Sequence, residues 1–343
     1  MDVTGWDIGG VNTKVARVRG AHIIGARSRP FELRRAPHEL PMVLRTLASD
    51  VGTPLDGAHA VTMTAELSQM FRTKREGVTH IIDAMAETFP NSSMFVYAVD
   101  GRFYEPEAAR QIPLLVAAAN WSATATAVAH DIPDAILIDT GTTTTDIIPL
   151  AGGRPASVGR TDPERLASGE LVYTGAVRTP VEAIVSQVPL GSGVASVSAE
   201  GFALAADVHI WRGALSPDDY SVDPPDGRPT TREHAGVRLA RVVCADRDML
   251  DDEALWAIAN AVAGAQVRRI SDAIRRVMAR HPGIGTAVVT GVGDFLAAAA
   301  AREAGLSVTS LSDRFGADAA RCAPAAAVAL LLERMLGRST VSA

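Results

Sequence analysis

Aromatic residues make up only 5% of this 343-residue chain, and neither sign of charge dominates: 33 lysines and arginines against 39 aspartates and glutamates leave −6 at pH 7. A nucleic-acid surface needs lysine and arginine clustered against phosphates, and a pI near 5.8 speaks against one. The pairs Arg268-Arg269 and Arg275-Arg276 read instead as the solvated face of a helix. Cysteine is nearly absent. Cys244 and Cys322 lack the spacing of a metal or redox site; both fall in stretches that read as helical and are expected to be reduced core residues. Long apolar runs are missing too, since the alanine-rich stretches 297–301 and 323–332 are too short or too interrupted to cross a bilayer. A strand begins at once, with no basic or apolar leader pattern ahead of it. The expectation is a soluble cytoplasmic protein with neither a membrane nor a nucleic-acid partner.

What is present is apolar content of 47%, enough for the core of two domains or one large one. The chain is organised around residues 136–150, an apolar strand (Ile136-Leu137-Ile138-Asp139) that runs through Thr140-Gly141-Thr142-Thr143-Thr144 into a second strand. Residues 5–16 repeat the order: with Asp7 laid on Asp139, Gly9 falls on Gly141 and Thr13 on Thr145. Glycine lets backbone N–H groups approach an anion and short hydroxyls add donors, so such a turn can cradle phosphate. A carboxylate repels phosphate directly; its natural task is to hold a hydrated divalent cation against the phosphate oxygens. Taken singly, either turn is also explained as an ordinary hairpin with β-branched strand residues. The repeat at matching offsets favours the anion reading, with the two loops forming a clamp.

The first half reads as three strands, helix, strand, helix, strand and then one buried helix over Leu114–His130, where charge is nearly lacking. Asp131-Ile132-Pro133-Asp134 breaks the chain and sets the expected domains at 1–130 and 131–343. From about 159 to 228 periodicity fades while Pro, Gly, Ser and Asp accumulate, which signals a functional insertion. Thr230 and Glu233 suggest a capping box, and Leu255, Ile258, Val262, Ile270, Ile274 and Val277 form one stripe of a long helix. Late in the chain, residues 287–290 give a strand that feeds the glycine turn Gly291-Val292-Gly293-Asp294 and a helix whose first amides offer another anion or nucleotide contact.

Two aspartate-glycine hairpins half a chain apart, followed by that strand and glycine turn, resemble the acetate and sugar kinase, Hsp70 and actin superfamily. The implied fold is α/β, with two ribonuclease H-like domains of the actin-like ATPase kind and an insertion in the second. Trp6-Asp7-Ile8-Gly9-Gly10-Val11-Asn12-Thr13-Lys14, Thr64-Ala65-Glu66-Leu67, Lys74-Arg75-Glu76-Gly77-Val78, Ala119-Asn120-Trp121, Tyr173-Thr174-Gly175, Ala206-Asp207-Val208-His209 and Asp226-Gly227-Arg228-Pro229-Thr230-Thr231-Arg232-Glu233 are closer still. They resemble the hydantoinase/oxoprolinase-related family of tetrahydromethanopterin-linked one-carbon pathways, which includes the condensing synthase of methanofuran biosynthesis.

That resemblance implies a transferase that joins a diphosphate-activated aminomethylfuran to the phenol oxygen of a glutamyl-tyramine or tyrosine-type acceptor and releases diphosphate. In this reading Asp7 and Asp139 hold Mg2+, and Gly9, Gly10, Asn12, Thr13, Thr140, Gly141, Thr142, Thr143 and Thr144 bind diphosphate or nucleotide, with Gly291 and Gly293 as a further contact. Lys14 neutralises charge on the leaving group or is a solvated strand residue. His209 or Asp207 is the expected base for the phenol, with Glu66 in reserve. Glu66, Lys74, Asn120, Thr174, Gly175 and Arg178 are expected to touch substrate, Arg178 either on a carboxylate or capping its turn. The partners are then the small-molecule diphosphate donor and the phenolic acceptor, and a homodimer is compatible. Two other readings stay open: an ATP-dependent small-molecule kinase or hydrolase, and a non-catalytic nucleotide-binding regulatory protein.

Overall fold

Three antiparallel strands open the chain in the computed structural model, which describes residues 2–54 and 56–341. β1 (Asp2–Ile8), β2 (Asn12–Arg19) and β3 (His22–Pro30) form a meander, helix α1 (Leu40–Asp50) leads to β4 (Ala58–Met63), and α2 (Lys74–Thr88) leads to β5 (Ser93–Tyr97) and the short β6 (Phe103–Tyr104). The sheet order is β3-β2-β1-β4-β5-β6, with β1, β4 and β5 parallel. A parallel strand covered on both faces must be apolar nearly throughout, and β1 is buried from Val3 to Ile8. Trp6 and Ile8 pack in the cluster of α1 and α2, while Val3 belongs to the opposite face.

The expected single helix over Leu114–His130 is two pieces, α4 (Pro113–Val116) and α5 (Asn120–Ala129), and a further short helix, α3 (Pro106–Gln111), stands ahead of them. Proline suits the first turn of a helix but cannot continue one, so Pro106 and Pro113 each begin a new piece. Between α4 and α5 the backbone turns left-handed at Ala118 (φ 51°), and Ala117 pairs with Met63 at the end of β4.

The second sheet repeats the first. β7 (Ala135–Thr140) and β8 (Thr145–Ala151) form the hairpin, β9 (Arg154–Pro155) pairs with the far end of β8, and after α6 (Asp162–Ser168) the two-residue β10 (Leu171–Val172) pairs with its near end. The hairpin β11 (Gln187–Leu190) and β12 (Gly193–Ser196) precedes helices α7 (Ala205–Trp211), α8 (Arg232–Arg241) and the 27-residue α9 (Asp252–Met278). β13 (Thr286–Thr290), α10 (Asp294–Glu303) and β14 (Ser307–Ser310) complete the order β10-β8-β7-β13-β14, with β13 parallel to β7. Both sheets thus share one ribonuclease H-like plan: a hairpin, a third strand beside its second arm, and a parallel strand beside its first.

The chain ends in α11 (Ser312–Phe315), α12 (Ala317–Arg321) and α13 (Ala323–Val341). Two compact units result, one from the residues up to Ala135, Ile148–Glu164 and the chain from Ser310 onward, the other from Ile136–Ile147 and Arg165–Thr309. The alanines of α13 let it lie directly on β1, where a Cβ added to Gly5 would sit 2.0 Å from the Ala325 carbonyl oxygen. Glu333 of α13 accepts from the N–H groups of Gly20 and Ala21 at 2.6 and 2.7 Å, tying down the left-handed β2–β3 turn.

Two local expectations change. Thr231, not Thr230, caps α8, its hydroxyl accepting from His234 N–H, so the Thr230–Glu233 spacing is one residue out of phase with the helix. Cys322 is buried as expected, but Cys244 is exposed and left-handed (φ 58°) just past α8. Both cysteines are free.

Candidate functional site

The β1–β2 turn is built on one unusual backbone bond, Gly9 N–H to the Asn12 carbonyl at 3.0 Å. Residues 10 and 11 are also fastened by their carbonyls, which accept from Leu33 N–H at 3.1 Å and Phe31 N–H at 2.8 Å. The loop's acceptors are consumed internally, which removes lone pairs that would repel an anion. A Cβ at Gly9 would meet the Asn12 carbonyl at 2.6 Å, so the turn closes only with glycine. Behind it, Asp7 is buried and pairs across the strands with Lys14, whose Nζ lies 3.2 Å from Oδ2. Asp7 Oδ1 and the hydroxyls of Thr13 and Thr62 are buried with no hydrogen-bond partner among the described residues; Thr62 is the neighbour of Asp7 on β4.

The β7–β8 turn has the same plan at the expected alignment: Gly141 N–H donates to the Thr144 carbonyl at 2.9 Å. Two further carbonyls of the turn, those of Gly141 and Thr142, are taken by residues 176–178. Ala176 N–H donates to Gly141, and Val177 and Arg178 N–H both donate to Thr142, at 2.9–3.1 Å. Gly175 makes this approach possible, because a Cβ there would stand 2.6 Å from the Thr142 and Thr143 backbone. Thr145 Oγ1 donates to the Thr174 carbonyl at 2.8 Å. A buried relay supports the arrangement: Gln266 Nε2 donates to Thr174 Oγ1 at 2.8 Å and to the Gly175 carbonyl at 3.0 Å, and its Oε1 is 2.8 Å from His209 Nε2.

The late glycine turn packs on this loop. Gly293 N–H donates to the Thr140 carbonyl at 2.9 Å. At Gly291 (φ 95°) a Cβ would fall 2.3 Å from that carbonyl and 2.5 Å from Asp139 Oδ1. Both glycines therefore have a packing reason to be glycine, whatever else they bind.

The expected bases occupy different settings. His209 is fully buried, and that burial pushes its imidazole down to about 4. Asp207 is buried too, and burial pushes its carboxyl up to about 6 against the pull of Arg238. Its oxygens are engaged by Arg238 Nε at 2.7 Å, Leu204 N–H at 2.9 Å and Tyr220 Oη at 3.3 Å. Both residues brace α7 in the second unit. Glu66 stands in the first unit, just past β4, with Lys74 Nζ 3.5 Å from Oε1 and the same ammonium 3.2 Å from Asp162 Oδ2. Asn120 is the half-buried first residue of α5, and Arg178 is exposed on the segment that clasps the second loop.

Asp162 and Gln266 were not legible as site residues. Asp162 sits in the stretch where periodicity fails. Gln266 did leave a signal, a lone amide between Val262 and Ile270 on the apolar stripe of α9.

A profile described as hydantoinase/oxoprolinase matches residues 57–335. The chain belongs to the hydantoinase/oxoprolinase family. Within the family's reach, it is 34% identical over 342 residues to the (4-{4-[2-(gamma-L-glutamylamino)ethyl]phenoxymethyl}furan-2-yl)methanamine synthase of Methanocaldococcus jannaschii, covering 98% of this chain and 99% of that protein. The protein of the same description from Methanococcus vannielii is 32% identical over 205 residues, 59% of this chain and 91% of its own length. Among solved structures, a chain of nucleotide-free acetone carboxylase superposes with a TM-score of 0.57 at 11% identity, covering 94% of this chain and 70% of that one. The fold of this hydantoinase/oxoprolinase chain is accordingly the two-sheet α/β plan of that structure. No helix among its described residues is long and apolar enough to cross a membrane.

Proposed function

We propose that this protein is a transferase of methanofuran-type cofactor synthesis, joining an aminomethylfuran carried as its diphosphate to the phenol oxygen of a tyramine- or tyrosine-derived acceptor. The observation that carries this reading is the 34% identity over 98% of the chain to a synthase whose product name describes that ether: a phenoxymethyl bond between a glutamylated tyramine and a furan methanamine.

The two loops suit the reaction because a departing diphosphate needs donors and countercharge at its oxygens. Gly9, Gly10, Asn12 and Thr13 offer these in the first unit, and Thr140 to Thr144 in the second. Lys14, already 3.2 Å from Asp7, supplies a positive charge. Among the described residues no three His, Cys, Asp or Glu side chains gather into a metal site. Magnesium asks for less, since it is held by one or two carboxylates and takes its other ligands from water and phosphate. The buried, unpartnered Oδ1 of Asp7 fits that demand, and Asp139 is its counterpart on the second loop. When bound, the ion neutralises diphosphate charge.

An ATP-dependent kinase or hydrolase is the second reading, favoured by the strand, glycine turn and helix at 286–303. Calorimetry separates the two. The transferase should bind diphosphate with magnesium more tightly than ATP, and Asp139→Asn should abolish ether formation while circular dichroism stays unchanged. Tight ATP binding with phosphate release, or full activity in Asp139→Asn, contradicts the assignment.

A further inference from the structure

Burial leaves one carboxylate in the first unit without hydrogen-bond donors. Glu66 is 1% exposed, and neither of its oxygens accepts a hydrogen bond from any described residue. Buried carboxylates are ordinarily paired and hydrogen-bonded, and here the nearest charge, Lys74, is divided between Glu66 and Asp162. The packing that enforces this is specific. A Cβ on Gly77 would stand 2.5 Å from the Glu66 Cα, so glycine at that turn of α2 lets the helix press against the Glu66 backbone while Lys74, one turn earlier, reaches the carboxylate.

The position is equally pointed. β4 runs parallel to β1 in the register Met63 to Ile8, and Thr64 N–H donates to the Ile8 carbonyl at 3.0 Å. Thr64-Ala65-Glu66 therefore leaves the sheet at the carboxyl edge where Asp7 and Gly9 stand, the edge at which ligands of open α/β sheets bind. Immediately after it, Leu67 is 60% and Met70 37% exposed, apolar surface suited to an aromatic ring.

We propose that Glu66 is the proton acceptor for the acceptor's phenol hydroxyl, with Lys74 and Asp162 setting its affinity for that proton. This rests on the transferase reading above. In the step, the phenol O–H bond breaks and its proton passes to the Glu66 carboxylate. The phenol oxygen forms a bond to the furan CH2 as the CH2–O bond to diphosphate breaks, diphosphate leaves with that electron pair, and Glu66 returns its proton to solvent. Burial pushes Glu66 up to about 7, which suits a base working near neutrality. Lys74 opposes that rise and Asp162 adds to it.

The test uses the full chain, an aminomethylfuran diphosphate, and tyramine-type acceptors of graded phenol acidity, with kcat and KM followed from about pH 5 to about pH 9. Glu66→Gln should lower kcat by about 100-fold or more with KM little changed, and the loss should shrink for a nitro-substituted phenol that is already ionised. Lys74→Met should move the acidic limb of kcat to higher pH and Asp162→Asn should move it to lower pH. These opposite shifts decide the matter even where Glu66→Gln fails to fold. Unmoved limbs in active variants, or a Glu66→Gln loss independent of phenol acidity, overturn the base assignment alone. A wild-type protein that forms no ether with any phenol overturns the transferase reading instead.

Discussion

At the residue scale, the buried titratable groups make opposite contributions to stability. Glu66 has its folded pKa raised to about 7 by burial, so the stability it contributes is complete below its ordinary range and is lost as pH rises through the folded value. Replacing it by glutamine removes that loss. Urea unfolding should find Glu66→Gln stabilised relative to wild type, the gain growing from about pH 4.5 to about pH 7 to on the order of 2–3 kcal/mol. A functional group held at the expense of stability behaves this way; no gain at pH 8 would show that the carboxylate is solvated. His209 has the reverse sign. Burial lowers it to about 4, so its contribution is present above its ordinary value and is lost as pH falls from about 6.5 towards 4. His209→Gln should remove about 1.4 kcal/mol per pH unit from the acid dependence of stability in that window, read from the same urea series; an unchanged slope would place the imidazole in water.

At the element scale, the second loop depends on pieces remote in sequence: the 173–180 segment, Gln266 of α9 and the glycine turn after β13. Gly175→Ala would drive a Cβ into backbone 2.6 Å away, where neither side can yield as a flexible side chain does. A cost of about 1–3 kcal/mol is expected. Gln266→Leu should cost about 1–3 kcal/mol by stranding Thr174 and Gly175, with faster amide exchange over 173–180; protection equal to wild type would mean that the relay carries no load. These dependencies mark what the sequence could and could not disclose. Both turns were readable because their aspartate, glycine and threonine offsets are local, and the structure gives them the same Gly9–Asn12 and Gly141–Thr144 bonds. The division of residues 106–129 into three helices was not, since a low charge content does not reveal a left-handed Ala118. The pairing of Lys74 with Asp162 spans 88 residues and two elements, and no local pattern encodes it.

At the scale of the whole molecule, one strand plan is used twice, β3-β2-β1-β4-β5 and β10-β8-β7-β13-β14, and each copy carries its own aspartate-glycine turn. The shared strand plan matches the repeat in the sequence, and each copy carries segments of its own: Glu66, Lys74 and Asp162 in the first unit, and the Thr174–Arg178 clasp in the second. The transferase reading assigns the turns to diphosphate and the first unit's carboxylate to the phenol proton. The direct test is to supply the purified protein with magnesium, the aminomethylfuran diphosphate and a glutamylated tyramine or tyrosine acceptor, and to follow the ether by mass spectrometry alongside released diphosphate. Equal amounts of ether and diphosphate, formed without ATP, are predicted. ATP-dependent release of phosphate with no ether would contradict it.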